Sequence, residues 1–438
     1  MSELPVGWVE VEIGDLCELV NGRAFKPQEW CKEGLPIIRI QNLNRPDAAF
    51  NFFKGELDPR HFVVTGQLLF AWSGTPGTSF GAHVWNGPSA ALNQHIFKIE
   101  FDTEQVDKTF FRHAINQKLD ELIGSAQGGV GLRHVTKGTF ERTQITLPPL
   151  VEQKRIAQKL DALLAQVDTL KARIDAVPAL LKRFRKGVLA SAITGKLTEV
   201  TFTATIQLSK VGEITGGITK NAKRGSFELS VPYLRVANVQ AGYLDLTEVR
   251  DIGVSPSEAQ KTALERGDIL IVEGNGSLEH IGRAATWHGE INGCCHQNHL
   301  IRWRSNGGAL PEFVMIYLSS PQGRSDLVKV AKSTTGLHTL SISKVSSLTI
   351  PVADLQQQQQ IVRRVEQLFA YANQLEAKVT AVKQRIDALT QSLLAKAFRG
   401  ELVPQDPSDE PASVLLERIR TQRAATPKPK RGRKAATS

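Results

Sequence analysis

Apolar residues recur at steps of four and three along two long stretches of this chain. The first holds Ile156, Leu160, Leu163, Val167, Leu170, Ile174, Val177, Leu181, Phe184 and Val188. The second places Ile361, Val365, Leu368, Ala372, Leu375, Val379, Val382, Ile386, Leu389 and Leu393 in the same positions. Alternating steps of four and three mark the a/d seam of a coiled coil. Each stretch predicts a helix of about 40 residues, roughly 60 Å long. Each follows a proline-containing strand end and stops at a glycine, Gly195 or Gly400, which suits a C-terminal cap. Pro178 is expected to kink the first helix, while the matching Lys383 leaves the second unkinked. Two matched copies in one chain favour pairing with each other over membership of unrelated bundles.

The segments ahead of the helices also match. Asp15-Leu-Cys-Glu-Leu-Val-Asn-Gly22 corresponds to Lys210-Val-Gly-Glu-Ile-Thr-Gly-Gly217, and Leu35-Pro-Ile-Ile-Arg-Ile-Gln-Asn42 to Val231-Pro-Tyr-Leu-Arg-Val-Ala-Asn238. Gly66-Gln-Leu-Leu-Phe-Ala71 corresponds to Gly267-Asp-Ile-Leu-Ile-Val272, Asn93-Gln94-His95 to Gln297-Asn298-His299, and Gly131-Leu132 to Gly336-Leu337. These are short β-type runs between Gly, Pro and Asn turns. The chain therefore reads as a globular domain (1–150), a central helix (151–199), a second globular domain (200–350), a second helix (351–403) and a tail (404–438). The predicted class is α+β: two mixed α/β domains joined by two long antiparallel helices with pseudo-two-fold symmetry. In the tail, Pro404 to Pro411 reads as a linker, Ser413 to Arg423 as a short amphipathic helix, and 426–438 as disordered.

Charge sharpens this picture. The 438 residues carry 54 Lys and Arg against 44 Asp and Glu, a net +10. Residues 150–199 hold ten basic and five acidic residues (+5), and 405–438 eight and four (+4), so the globular domains are nearly neutral. A basic chain favours polyanions, nucleic acid or an anionic membrane surface. No apolar run is long enough to span a membrane, and the N-terminus lacks a signal-peptide pattern. Four cysteines are too few for a disulfide framework and suit a reducing, cytoplasmic setting. A two-fold basic protein matches duplex DNA, whose backbone is itself two-fold symmetric. With both readers in one chain the target is split and asymmetric, its unread gap fixed by helix length.

Catalytic motifs are absent from the sequence. The nearest string to a phosphate-binding loop, Ala190 to Leu197, lacks the first glycine, has Leu197 where Ser or Thr would hold magnesium, and ends a helix. Pro148-Pro149 is flanked by Leu147 and Leu150, unlike the Pro-Pro-aromatic motif of DNA amino-methyltransferases. Gly274-Asn-Gly276 has no third glycine for a dinucleotide loop. Cys294-Cys295-His296-Gln-Asn-His299 suggests zinc, but adjacent cysteines rarely suit one tetrahedral site, and a half-buried strand is the simpler reading.

LPPLVEQKRIAQKLDALLAQVDTLKARI with LKRFRKGVLASAITGKLTE is similar to the central spacer of specificity subunits of type I restriction–modification enzymes. IVRRVEQLFAYANQLEAKV with LTQSLLAKAFRGELVPQDP resembles their C-terminal spacer, ELPVGWVEVEIGDL their opening and PASVLLERIRTQR their end. The resemblance implies a non-catalytic subunit that reads a bipartite double-stranded DNA site. It implies two methyltransferase and two motor–nuclease subunits as partners. S-adenosylmethionine, ATP and Mg then belong to those partners, and this chain needs no cofactor. A self-sufficient fused enzyme with degenerate motifs, and a coiled-coil scaffold that never touches DNA, are the alternative readings.

Residues shared by both domains cannot explain how they read different half-sites. Arg39/Arg235, Asn42/Asn238 and His95/His299 are therefore candidates for structure or phosphate contact. Residues that differ at matching places, Arg133, His134 and Lys137 against His338, Thr339 and Lys344, are candidates for base readout. Lys182, Arg183, Arg185 and Lys186 form a basic cluster around Phe184, a seam position expected to be buried. The matching Asp387-Ala-Leu-Thr-Gln391 carries no positive charge. In the tail, Lys428, Lys430, Arg431, Arg433 and Lys434 suit salt-sensitive attraction to phosphate.

Overall fold

The computed structural model describes residues 4–45, 47–74, 80–126, 133–277, 280–334 and 337–425. The chain divides into two compact units: Met1–Ala172 with Lys383–Ser438, and Arg173–Val382.

In the first unit a four-stranded antiparallel sheet runs in the order Glu18–Asn21, Ile96–Glu100, Leu68–Ala71, Gly81–Val84. Leu68–Ala71 is buried along its whole length, which explains its unbroken apolar run. A second sheet orders Asn51–Phe53, Leu35–Ile38, Ala90–Leu92 and Phe62–Val63, with the middle pair parallel. Val9–Glu12 pairs antiparallel with Gln144–Leu147, closing the domain just before the first long helix. The second unit repeats the plan. Its sheet runs Gly212–Gly216, Leu300–Ser305, Ile269–Val272, Ala284–Thr286. Leu229–Leu234 pairs parallel with Cys295–His296, and Thr205–Gln207 closes against Thr349–Pro351. The mixed α/β domains are as the sequence pattern predicts.

The long helices span Leu150–Ile193 and Leu355–Phe398. Pro178 lies inside the first, which continues through it. Both ends are capped at left-handed glycines, Gly195 (φ +77°) and Gly400 (φ +72°). A Cβ on Gly195 would lie 1.7 Å from the Val200 carbonyl oxygen, so only glycine fits. Within each unit the helical parts run antiparallel. Lys171 reaches Asp387 at 3.4 Å in the first unit, and Arg185 meets Glu376 at 2.9 Å and Asn373 at 2.7 Å in the second.

The seam is more divided than its periodicity suggests. Ile156 and Leu160 are buried in the core of the first globular domain, with Trp8, Phe110 and Leu147. Ile361 and Val365 are buried with Leu208, Phe313 and Ile350 in the second. Val167 and Ala372 are buried, whereas Leu163, Ile174, Leu368, Leu375 and Val379 are only partly covered. Leu170 and Phe184, expected to be buried, are 47% and 38% exposed. Two helices alone cover a seam side chain from one side, and of the partly covered positions Leu368 also packs against the core of the second domain.

Each long helix is tied to its domain by one glutamine. Gln153 Oε1 accepts from the Asp107 amide at 2.9 Å while its Nε2 donates to the Pro148 carbonyl at 2.9 Å. Gln358 does the same with the Leu310 amide (2.8 Å) and the Ala353 carbonyl (2.9 Å). Both side chains are buried, so these bonds satisfy groups that water cannot reach.

The tail forms the short helix that the sequence predicts, but the helix and the linker before it are docked on the first unit. Ala412–Ala425 is a helix whose Leu415, Leu416 and Ile419 are buried in the core of the first unit. Arg420 pairs with Asp15 at 2.6 Å, Arg423 donates to the carbonyls of Gly14 and Cys17, and the Ala412 amide donates to Gly7. The preceding segment is also anchored, with Asp409 paired to Arg155 at 2.6 Å. The apolar stripe, not the prolines, decides: it covers surface around Ile13 and Leu16 that would otherwise meet water. Lys428, Lys430, Arg431, Arg433 and Lys434 lie outside the described residues.

Candidate nucleic-acid interface

In each unit three segments meet at one end of the four-stranded sheet. The buried central strand ends, the turn before its neighbour carries the shared histidine, and a short strand from later in the chain crosses both. In the first unit the Trp72 amide donates to the His95 carbonyl at 3.2 Å, and the Val135 amide donates to the Trp72 carbonyl at 2.9 Å. In the second, the Glu273 amide donates to the His299 carbonyl at 3.0 Å, and the Leu340 amide to the Glu273 carbonyl at 2.7 Å. Arg133–His134 pairs with Ser73–Gly74, and Leu337–Thr339 with Gly274–Asn275. The frames coincide, so the side chains at equivalent places can be compared directly.

In the first unit the Trp72 ring lies 5.5 Å from His95 and 5.8 Å from His134, and stacks on Phe97. His134 Nδ1 is 2.8 Å from the Ser73 hydroxyl. Burial holds His95 below the ordinary imidazole range, and repulsion from His134 and Arg39 adds to it. Trp72 Nε1 and His95 Nδ1 are buried without a hydrogen-bond partner. Arg133 is exposed and donates to the Ile123 carbonyl at 3.2 Å. Lys137 instead donates to the Leu19 carbonyl at 3.0 Å and lies 3.6 Å from Glu141, so its amine is engaged with its own domain.

In the second unit His299 Nδ1 and Glu273 Oε2 are 2.9 Å apart, at side-chain exposures of 57% and 32%. They line a cleft of about 440 Å³ with Thr339, Ser341 and Lys344. His338 is half-buried on the same short strand. His299, Thr339 and Lys344 are thus brought together, as are His95 and His134 in the first unit. Gly131, Leu132 and Gly336 lie outside the described residues.

The remaining shared positions do different work. Asn42 Oδ1 accepts from the Arg39 amide at 3.0 Å while its Nδ2 donates to the carbonyls of Ala48 and Ala49. Asn238 repeats this with the Arg235 amide (2.8 Å) and the carbonyls of Asp245 and Glu248. Both amides are buried and spend their bonds on backbone, so they staple a loop. The Arg39 guanidinium lies over Trp30, and Arg235 pairs with Glu248 at 3.3 Å. In the helical cluster Arg185 is engaged with Glu376 and Asn373, while Lys182, Arg183 and Lys186 are exposed.

The Cys294–His299 string does not converge. His296 is fully buried, with Nδ1 3.1 Å from the Thr262 carbonyl, and burial lowers its pKa to about 4. Burial pushes the Cys294 thiol up to about 12, and His299 faces Glu273 instead. Among the described residues no group of three or more His, Cys, Asp or Glu is placed to hold a metal. Among them too, no helix is long and apolar enough to cross a membrane.

Trp72 and Glu273 escaped the sequence reading. Their signal was present: each is the first unmatched residue after the matched strands Gly66–Ala71 and Gly267–Val272. Gln153 and Gln358, identical residues at corresponding places, were likewise passed over.

Comparison with known proteins agrees with this architecture. The type I restriction modification DNA specificity domain matches twice, over residues 5–179 and 202–384. The chain is 34% identical to the type I restriction enzyme EcoKI specificity subunit of Escherichia coli K12, over 99% of both chains. It is 32% identical to the EcoBI specificity subunit of Escherichia coli (98% of this chain, 94% of that one), and 30% identical to the StySPI subunit of Salmonella potsdam over 99% of both. In fold it resembles the HsdS subunit of Thermoanaerobacter tengcongensis, with a TM-score of 0.61, 18% identity and coverage of 91% of this chain and 98% of that one. With the domain matched twice and full-length relatives above 30% identity, the chain belongs to the specificity subunits of type I restriction–modification systems and carries two recognition domains.

Proposed function

We propose that this chain is the non-catalytic DNA-reading subunit of a cytoplasmic type I complex, each domain reading one half of a split, asymmetric double-stranded site. The observation that carries the reading is the paired site: one backbone frame, built twice, presenting Trp72, His95 and His134 in one unit and Glu273, His299 and Thr339 in the other. Identical frames dock alike, and different side chains select different bases. Arg133, His134, His338, Thr339 and Lys344 remain the base-facing candidates. Lys182, Arg183 and Lys186, free on the helix surface, suit phosphate.

The long helices set the unread gap and dock two methyltransferase subunits, which supply S-adenosylmethionine chemistry. Two motor–nuclease subunits supply ATP- and Mg-dependent cleavage. Exposed Leu170 and Leu389 on the helices of the first unit, and Leu180, Phe184 and Tyr371 on those of the second, are the apolar surface such docking needs.

The test is co-expression with the methyltransferase subunit, then sequencing of modified bases in the host genome. A split methylated motif is expected. Exchanging residues 1–150 for another member's first domain should change one half and leave the other. A change in both halves, or failure to co-purify, overturns the proposal.

A further inference from the structure

The two domains carry side chains of unlike chemistry at one shared backbone position, the residue that follows the buried central strand. Trp72 and Glu273 make the same pair of backbone hydrogen bonds, so neither side chain is needed to hold the frame. The side chains then diverge. Trp72 turns its ring onto Phe97, His95 and His134. Glu273 stands in the open cleft of about 440 Å³ with His299, Thr339, Ser341 and Lys344 around it.

A carboxylate on a surface that meets DNA is repelled by phosphate and loses its water on contact. It persists only where a donor replaces that water. His299 Nδ1 lies 2.9 Å from Oε2, leaving Oε1 with no hydrogen-bonding side chain of its own among the described residues. In the major groove the base-edge donors are the exocyclic amino groups, cytosine N4 and adenine N6. Guanine O6 and N7 and thymine O4 are acceptors, which would face the carboxylate with no proton between them.

We infer that Glu273 is a specificity-determining residue of the second domain, accepting a hydrogen bond from an exocyclic amino group of one base in its half-site. His299 is a positioning residue that holds the carboxylate. Trp72 places no acceptor at the equivalent point, so the first domain reads that position by another contact. This rests on the proposed reading of a split site by two domains.

The experiment uses the assembled complex with its methyltransferase subunits and compares the wild type with E273Q, E273D and H299A by modified-base sequencing. Thermal unfolding of each variant is recorded in parallel. For E273Q, discrimination at one position of one half-site should fall about tenfold to a hundredfold, with the other half-site and the gap unchanged. The base whose preference disappears identifies the amino group as cytosine's or adenine's. E273D should relax the same position less, and H299A should relax that position rather than weaken all sites alike. A split motif unmoved by E273Q, or a loss spread evenly over all sequences, overturns the inference alone. A wild-type complex that reads no split motif overturns the parent reading and this inference together.

Discussion

The two recognition units share a plan but are completed differently. The second is made from one continuous stretch, Arg173–Val382, whereas the first joins Met1–Ala172 to Lys383–Ser438. Its core contains Ala397, Phe398, Leu415, Leu416 and Ile419 from the far end of the sequence. Inside the second, a histidine, His296, is fully buried on the strand paired with Leu234; at the equivalent position the first unit buries Leu92, paired with Ile38. A repeated plan thus fixes backbone and core outline, leaving closure and individual buried positions free to diverge.

The sharpest way to break that comparison is to remove the piece only one unit needs. Leu415→Ala with Ile419→Ala should destabilise the first unit by about 2–5 kcal/mol per side chain. Hydrogen exchange should rise across 4–172 while 173–382 keeps its protection. Equal loosening of both units would show that closure by the C-terminal helix is not confined to the first.

Acid sharpens the difference inside the second unit. Folded His296 stays neutral down to about pH 4, while in the unfolded chain it takes a proton near pH 6.5. Its contribution is complete above about pH 6.5 and is lost as pH falls toward 4, because only the unfolded state gains the proton. The loss integrates to about 3 kcal/mol. His296→Leu, which copies the first unit, should remove that part of the acid sensitivity in urea melts at pH 7 and pH 4.5. An unchanged pH dependence would place the sensitivity elsewhere.

The smallest effect concerns charge. Lys182, Arg183 and Lys186 are exposed on the helix of the second unit, and the matching stretch Asp387–Gln391 has no basic residue. Replacing the three by Gln should flatten the log–log salt dependence of DNA binding by the complex, by about 0.9 for each phosphate that is no longer neutralised. Base preference should stay as it was; a changed motif would make them readers.

How far this was legible in the sequence follows from range. Heptads, capping glycines and the internal repeat are local or self-referential signals, so the helices and the doubled domain could be read directly. The fate of the C-terminal helix could not, because Leu415 and Ile419 reveal an apolar stripe but not the surface around Ile13 and Leu16 that receives it. Burial of the seam was over-read for the same reason: Leu170 and Phe184 keep the spacing but lack a neighbour to cover them. At the candidate site His95 and His299 were found because they are shared. Trp72 and Glu273 were missed because a residue that differs carries no repeat signal, and only the frame around it shows that the two are counterparts.

The return of the C-terminal helix to the first unit also separates the segments of one core in time of synthesis. The domain synthesised first waits for the last segment, holding Ile13, Leu16 and Trp8 without part of their cover until residues 412–425 arrive. The later unit has all its segments once residue 382 has been made. Domains ordinarily fold from the N-terminus onward during synthesis. Here the core of the first reader is completed by residues made after every segment of the second.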